Sequence, residues 1–316
     1  MHDPAFCSVE TRKSRQDLIA SIEYRPHHLL VEFPEPWEHT YSLSPHYPEK
    51  LAVTLQSLAK KQHVVTVNGF APDSVYSQKD RTRVFYLRAL SSSYQKLEFL
   101  FPSQNLADRV EKLVLSNDPG SEFEEFKVDE LGSRDYFICA HFNRDRCCGI
   151  FGRALYEKMR EAEFLKNSGL RLFKCTHIGG HRFAPTMFEI PSMTFWGYLD
   201  ETSMRNIMSR ENISSAVDHY RGGSGLMSPY FQVAEREVLR RVGWDWFHYE
   251  HRTFTGSFHE KSATITVRLQ KNPQTPENVL TVEIDAIEPS LMLANCADLS
   301  PQPFPQYRVK KVVCKA

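Results

Sequence analysis

The 316-residue chain lacks any surplus of charge: 39 lysines and arginines stand against 39 aspartates and glutamates, and the pI is near 7.2. Without a broad positive field it has no general means of holding nucleic acid or an acidic membrane surface, so neither is expected as a partner. It has no run of eighteen or more apolar residues, as a spanning helix needs. Its first twenty residues (MHDPAFCSVETRKSRQDLIA) lack the apolar stretch of a secretory signal, which points to a cytoplasmic location. Nucleotide-binding fingerprints are also missing. The Gly-Gly of HIGGH is followed by no Lys-Ser/Thr, so it is no P-loop, and no paired-carboxylate motif stands out.

What is present is a chain able to bury a core, with 41% hydrophobic and 12% aromatic residues and a mean hydropathy of -0.44. Its length suggests two or three domains. There are seven cysteines, Cys7, Cys139, Cys147, Cys148, Cys175, Cys296 and Cys314. An odd number in a reducing compartment argues against a disulfide framework. Four of the seven fall between 139 and 175, and that clustering asks for a chemical reason.

Hydrophobic periodicity organises the chain. HHLLVEF (27–33) reads as a buried strand and YPEKLAVTLQSLAKK (47–61) as a helix. Three strand candidates follow at 63–69, 83–90 and 94–101, then a helix at 105–115 and a linker, SNDPGSE. The order is β-α-β-β-β-α. It recurs about one hundred residues later: a strand at 135–142, a helix at 149–165, strand-like 170–176, 181–191 and 194–199, and a helix at 201–210. Beyond it come a helix at 228–243, strands at 262–270 and 278–286, and a closing strand at 307–315 with PQPFPQ as an extended lead. The expected fold class is therefore α/β: two tandem copies, 1–120 and 121–225, and a smaller α+β appendage, 226–316.

The chemistry concentrates in CAHFNRDRCCG (139–149) and CTHIGGHR (175–182). Both are loops after strands of one β-α-β unit, so they open on the same sheet edge and their side chains can converge. Two thiols and two imidazoles meeting there suit zinc, or a 2Fe-2S cluster in which histidine replaces two thiolates. Gly179 and Gly180 let the second loop wrap tightly and expose backbone N–H groups, which favours the cluster. Arg144, Arg146 and Arg182 would favour its reduced, anionic state.

These residues resemble the sucrase/ferredoxin-like family, whose Cys-x-His loop with Arg-Asp and a Cys, then His-x-Gly-Gly-His, is met by CAHFNRDRCCG and HIGGHRFAP. FCS (6–8), LLVEFPEPW (29–37) and YRGGSGL (220–226) extend the likeness, leaving the last 80 or so residues uncovered. The resemblance implies thioredoxin-like domains of the ferredoxin type in which a Cys-x3-Cys pair has become His-x3-His; fungal relatives are known as bis-histidinyl 2Fe-2S proteins. Carried over residue by residue, it makes Cys139, Cys148, His177 and His181 the ligands of a 2Fe-2S cluster, with zinc as the alternative occupant. It implies an electron carrier or redox sensor served by a redox protein such as a flavoprotein reductase or ferredoxin, and no sucrase activity. Neutral imidazole ligands raise the potential above the roughly -400 mV of plant-type ferredoxins, and their second N–H makes the step proton-coupled.

Other residues take plainer roles. Cys147, adjacent to Cys148, could also reach the metal, but the family spacing favours Cys148. His141 and Cys175 each create an extra Cys-x-His, yet the Cys-x-x-His of a Rieske site is absent, so they are expected beside the ligands. Cys7, Cys296 and Cys314 are expected as small core hydrophobes. Trp196, Trp244, Trp246 and Phe247 are expected in packing, and Arg221-Gly222-Gly223 either positions a loop over the site or makes a simple turn. The first copy has no Cys or His pair at the matching loops, which implies a structural or partner-facing role without metal.

Overall fold

Strands with two buried faces alternate strictly between them, and that alternation explains the architecture of this computed structural model, which describes residues 6–63, 65–90, 93–128, 134–298 and 300–315. A first helix, α1 (Cys7–Lys13), precedes β1 (His27–Glu32), α2 (Leu51–Lys60), β2 (Thr66–Phe70), β3 (Arg81–Ala89), β4 (Tyr94–Pro102) and α3 (Leu106–Leu115). The second half comprises β5 (Asp135–Cys139), α4 (Arg153–Glu161), β6 (Arg171–Cys175), β7 (Met187–Ile190), β8 (Thr194–Trp196), α5 (Glu201–Ser209) and β9 (Tyr220–Gly223). Leu29 and Val31 of β1 face the helices of the first half while Leu30 faces the interior; Tyr136 and Ile138 of β5 face helices while Phe137 and Cys139 turn inward.

All nine strands form one sheet, ordered β4-β3-β1-β2-β6-β5-β7-β8-β9. In each half a parallel pair (β1 with β2, β5 with β6) is extended by an antiparallel pair (β3 and β4, β7 and β8). The halves join where β2 meets β6 antiparallel, Phe70 opposite Cys175. The α/β class is as expected, but the division near residue 120 is one of sequence: in space both halves share a continuous sheet. That sheet curls until Tyr94 at one edge lies 3.0 Å from the Ser224 hydroxyl just beyond the other. Its concave face is filled by Phe70, Phe85, Phe137, Phe173, Phe188 and Phe195, with ring centroids 4.9–5.6 Å apart along the stack.

The interior has a charged end and a thiol end. Where β5 and β6 begin, Arg171 makes bidentate contacts of 2.5–2.9 Å with both Asp135 and Glu98, and Lys96 lies 2.6 Å from Asp135. Arg171 and both carboxylates are almost fully buried, so each charge depends on its partners. Where the same strands end, Cys139 and Cys175 stand opposite each other in the parallel register.

The appendage consists of α6 (Pro229–Val242) and an antiparallel sheet, β10 (His251–Phe258), β11 (Ser262–Gln270), β12 (Asn278–Leu293) and β13 (Pro301–Lys315), in sequential order. The strand expected at 307–315 begins at Pro301. Prolines 301, 303 and 305 alternate along an edge strand, so their missing N–H groups all fall on its unpaired side. The helix expected at 149–165 is broken at Ala162, whose ψ of 129° is extended. α1, β9 and β10 were not anticipated, and SNDPGSE contains a helical turn, Pro119–Glu122, capped by Asp118. Among the described residues no helix is long and apolar enough to cross a membrane.

Candidate metal centre

Because β5 and β6 run parallel, the loops after Cys139 and Cys175 leave the same sheet edge. The first loop returns through a π-helical turn, Cys148–Gly152, before α4 begins. Such turns shift side chains out of ordinary helical register and recur at functional sites. A Cβ on Gly152 would overlap the Cys139 carbonyl oxygen, so only glycine allows the turn to settle on the strand end. The result sets Cys148 beside Cys139. Their sulfurs and a His177 ring nitrogen all lie within 4.8 Å of one another. His181 stands outside that group, with its ring centroid 5.4 Å from that of His177.

His181 is prepared as a neutral ligand. His181 donates from Nε2 to the Ala294 carbonyl at 2.7 Å, which assigns its proton to that nitrogen and leaves the Nδ1 lone pair free. That Nδ1 is buried without a hydrogen-bond partner, as is Nδ1 of His177. Unpartnered buried nitrogens are costly in a folded protein and are what a bound metal would satisfy. Burial also lowers the pKa of His181, despite the opposing Ala294 bond, which favours the neutral ring. Between the thiols, Cys139 is held well below the ordinary range first by its hydrogen bond with Cys148, then by His177, against burial. Cys148 is held well above it by the same bond and by burial. A metal would take both as thiolates. The residues thus fit either a 2Fe-2S cluster or zinc by donor chemistry.

The first half braces both loops. His141 is committed at each nitrogen: Nε2 donates to the Glu38 carbonyl at 2.8 Å and Nδ1 accepts from the His177 amide at 3.3 Å. It therefore positions His177 and offers no free lone pair. Asn143 donates to the Trp37 carbonyl, and Asn68 of β2 donates to the His177 carbonyl at 2.9 Å. Cys175 is buried and stays a protonated thiol, since burial and then Cys139 raise its pKa. Gly179 and Gly180 both have positive φ, 77° and 69°.

Of the arginines expected near the site, Arg144 lies on the surface against His39, Arg146 reaches the Cys296 carbonyl at 3.4 Å, and Arg182 joins His181 on the Ala294 carbonyl at 3.2 Å. The cation closest in role is Arg221, fully buried, donating to Ser21 and to the Gly179 carbonyl at 3.0 and 3.1 Å. Among the described residues no carboxylate pairs with it. Burial lowers its pKa to about 10, and Cys148 and Cys139 are the first charges opposing that fall. A Cβ on Gly180 would strike the same guanidinium.

Cys147 faces away from Cys148, into a second group with Cys7, Cys296 and Asp145, all buried. Cys7 and Cys296 are thus more than scattered core residues. Cys314, expected in the core, is exposed. Sequence spacing held no sign of this convergence, because Cys7 and Cys296 arrive from α1 and from the tip of the β12–β13 hairpin. That hairpin also supplies Ala294.

The sequence model of the sucrase/ferredoxin-like family matches residues 18–222. A curated relative from the yeast Meyerozyma guilliermondii, named altered inheritance of mitochondria protein 32, is 27% identical over 161 residues, covering 47% of this chain and 54% of the relative. The chain thus spans about half the length of that relative. No solved structure matches it.

Proposed function

The chain belongs to the sucrase/ferredoxin-like family, and on that footing we propose that it is an electron-transfer protein whose 2Fe-2S cluster is held by Cys139, Cys148, His177 and His181. The observation that carries this reading is the pair of buried, unpartnered Nδ1 atoms on His177 and His181 beside the converging sulfurs of Cys139 and Cys148. When bound, the cluster would supply a one-electron redox couple. Chain residues do the rest: the Ala294 carbonyl fixes the His181 tautomer, His141 positions His177, and Arg221 offers buried positive charge where reduction adds a negative one. The proton on His181 Nε2 is the one available for exchange on a change of oxidation state.

Donor spacing favours a cluster over zinc. Donors about 2.0–2.3 Å from one tetrahedral ion lie within roughly 4 Å of each other. His181 falls outside the 4.8 Å group of the other three, a spread that suits a binuclear centre. The strand orders β2-β1-β3-β4 and β6-β5-β7-β8 support reading each half as thioredoxin-like, the first without metal. A redox protein such as a flavoprotein reductase or a ferredoxin is the proposed partner. A cytoplasmic location is part of the proposal, and the relative's name makes mitochondria the alternative to check.

Anaerobic purification with iron, sulfide and zinc analysis tests the reading. Iron and sulfide in equal amounts with red-brown absorption support it. A colourless protein carrying zinc alone at this site, even after anaerobic reconstitution with iron and sulfide, supports a structural or adaptor role for the same four residues.

A further inference from the structure

The second sulfur group has a geometry unlike the first. Cys147 Sγ lies 3.1 Å from Cys296 Sγ and 3.6 Å from Cys7 Sγ, and Cys296 and Cys7 are 3.5 Å apart. Three sulfurs from α1, the loop before the π-helical turn, and the β12–β13 tip therefore form a closed triangle, fully or nearly fully buried. Asp145 stands on one side, with an oxygen 4.0 Å from Cys7 Sγ. Its carboxylate also accepts the Cys147 amide at 2.8 Å and the Cys296 amide at 3.0 Å, fixing two of the three sulfur-bearing backbones. Sulfurs around one tetrahedral ion, each about 2.3 Å from it, sit roughly 3.8 Å apart, so two edges of the triangle need open by about 0.2–0.3 Å and the Cys147–Cys296 edge by about 0.7 Å.

We infer that Cys7, Cys147 and Cys296, with Asp145 as the fourth donor, form a second metal site, specific for a single tetrahedral, thiolate-preferring divalent ion of the zinc type. Asp145 keeps lone pairs beyond those used by the two amides. Three thiolates, a carboxylate and a divalent ion carry a net charge of minus two, and Arg146 and Arg182 lie beside the site at the Cys296 and Ala294 carbonyls. The site would pin α1 and the appendage to the loop that also carries Cys148, so one ion would organise the surroundings of the other centre. Cys296 lies in the last part of the chain, which the family likeness leaves uncovered, so family membership does not supply the complete site. It is independent of the cluster reading, since it shares no donor with it.

The test uses full-length protein stripped of metal and titrated anaerobically with Co2+ alone. The His177→Ala/His181→Ala chain, in which the first site has lost both imidazoles, is expected to show charge transfer of three-thiolate intensity with tetrahedral d–d bands, and adding Cys7→Ser/Cys296→Ser to that background should remove them. Under native expression, the Cys7→Ser/Cys296→Ser chain should lose one zinc per chain and retain its iron. The wild-type chain, which carries no substitution, should hold one zinc beside its iron under native expression, and iron without zinc in that chain overturns the inference whatever the variants do. The inference is overturned if the His177→Ala/His181→Ala chain shows no three-thiolate cobalt spectrum while circular dichroism reports it folded. It is equally overturned if Cys7→Ser/Cys296→Ser keeps all its zinc, or if intact mass shows a Cys147–Cys296 disulfide in protein purified anaerobically.

Discussion

The two halves of the nine-stranded sheet share the order of four strands, β9 being an addition to the second, and their chemistry differs most at the loops after their parallel strands. In the first half those loops bring together Phe33, Trp37 and Ala71, with Tyr41 and Tyr47 packed against them. At the corresponding positions of the second half stand Cys139, Cys148, Cys175 and His177, also buried or nearly so. One scaffold thus closes the same edge once with an aromatic plug and once with thiols and an imidazole. The plug is not inert, because the segment that carries it holds His141 through Glu38 and Asn143 through Trp37. The lesson is a division of labour: the half with the aromatic plug positions the loops that carry its neighbour's candidate donors.

The largest expected effect separates the two loop sets. Cys148→Ser should abolish iron and sulfide binding, whereas Phe33→Ala, which removes a 2%-exposed ring from the plug, should retain the iron of the folded protein but cost about 3–5 kcal/mol of stability. Metal analysis beside denaturant unfolding measures both, and iron loss in Phe33→Ala at full folding would break the division. Next comes the clamp between halves. Arg171→Met leaves Asp135 and Glu98 short of their shared cation, and unfolding should shift by about 3–5 kcal/mol with the reduced-cluster EPR signal unchanged in folded protein.

A smaller effect is one of pH, and it arises where β9, the strand added to the second half, meets the appendage. Burial raises the Glu235 pKa to about 7 from 4.5, against a hydrogen bond from Tyr220 and the charge of Arg252. The folded state therefore keeps a proton that the unfolded chain releases. Stability is fully present below pH 4.5, falls as pH rises, and levels off above pH 7, with a total loss of roughly 3 kcal/mol. Glu235→Gln should flatten that slope in urea titrations run across the range, and an unchanged slope would remove Glu235 as its source.

Local patterns in the sequence were readable where the physics is local. β3, β4 and β11 fall within two residues of where alternation puts them, and α6 within one. The convergence of Cys139 with Cys148 and His177 could be anticipated, because all three sit on two loops of one β-α-β unit. Readability failed where contact depends on distant segments. Nothing in the spacing of Cys7, Cys147 and Cys296, up to 289 residues apart, announces a sulfur triangle. Ala294 acts through its carbonyl, which no residue type reveals. YRGGSGL leaves Arg221 either positioning a loop over the site or sitting in a turn, and its bond to the Gly179 carbonyl supports the first; its full burial was not legible, because it comes from β9 extending the sheet and so short a strand has little periodicity to detect.

The central claim is that two imidazoles and two thiolates of the second half hold the cluster. Pulsed EPR on anaerobically purified, reduced full-length protein examines it at the atoms concerned. The account predicts a reduced 2Fe-2S signal with strong hyperfine coupling from two directly bound histidine nitrogens, one coupling being lost in His177→Cys and one in His181→Cys. A cluster signal without nitrogen coupling, or no iron signal after reconstitution with iron and sulfide, would contradict it.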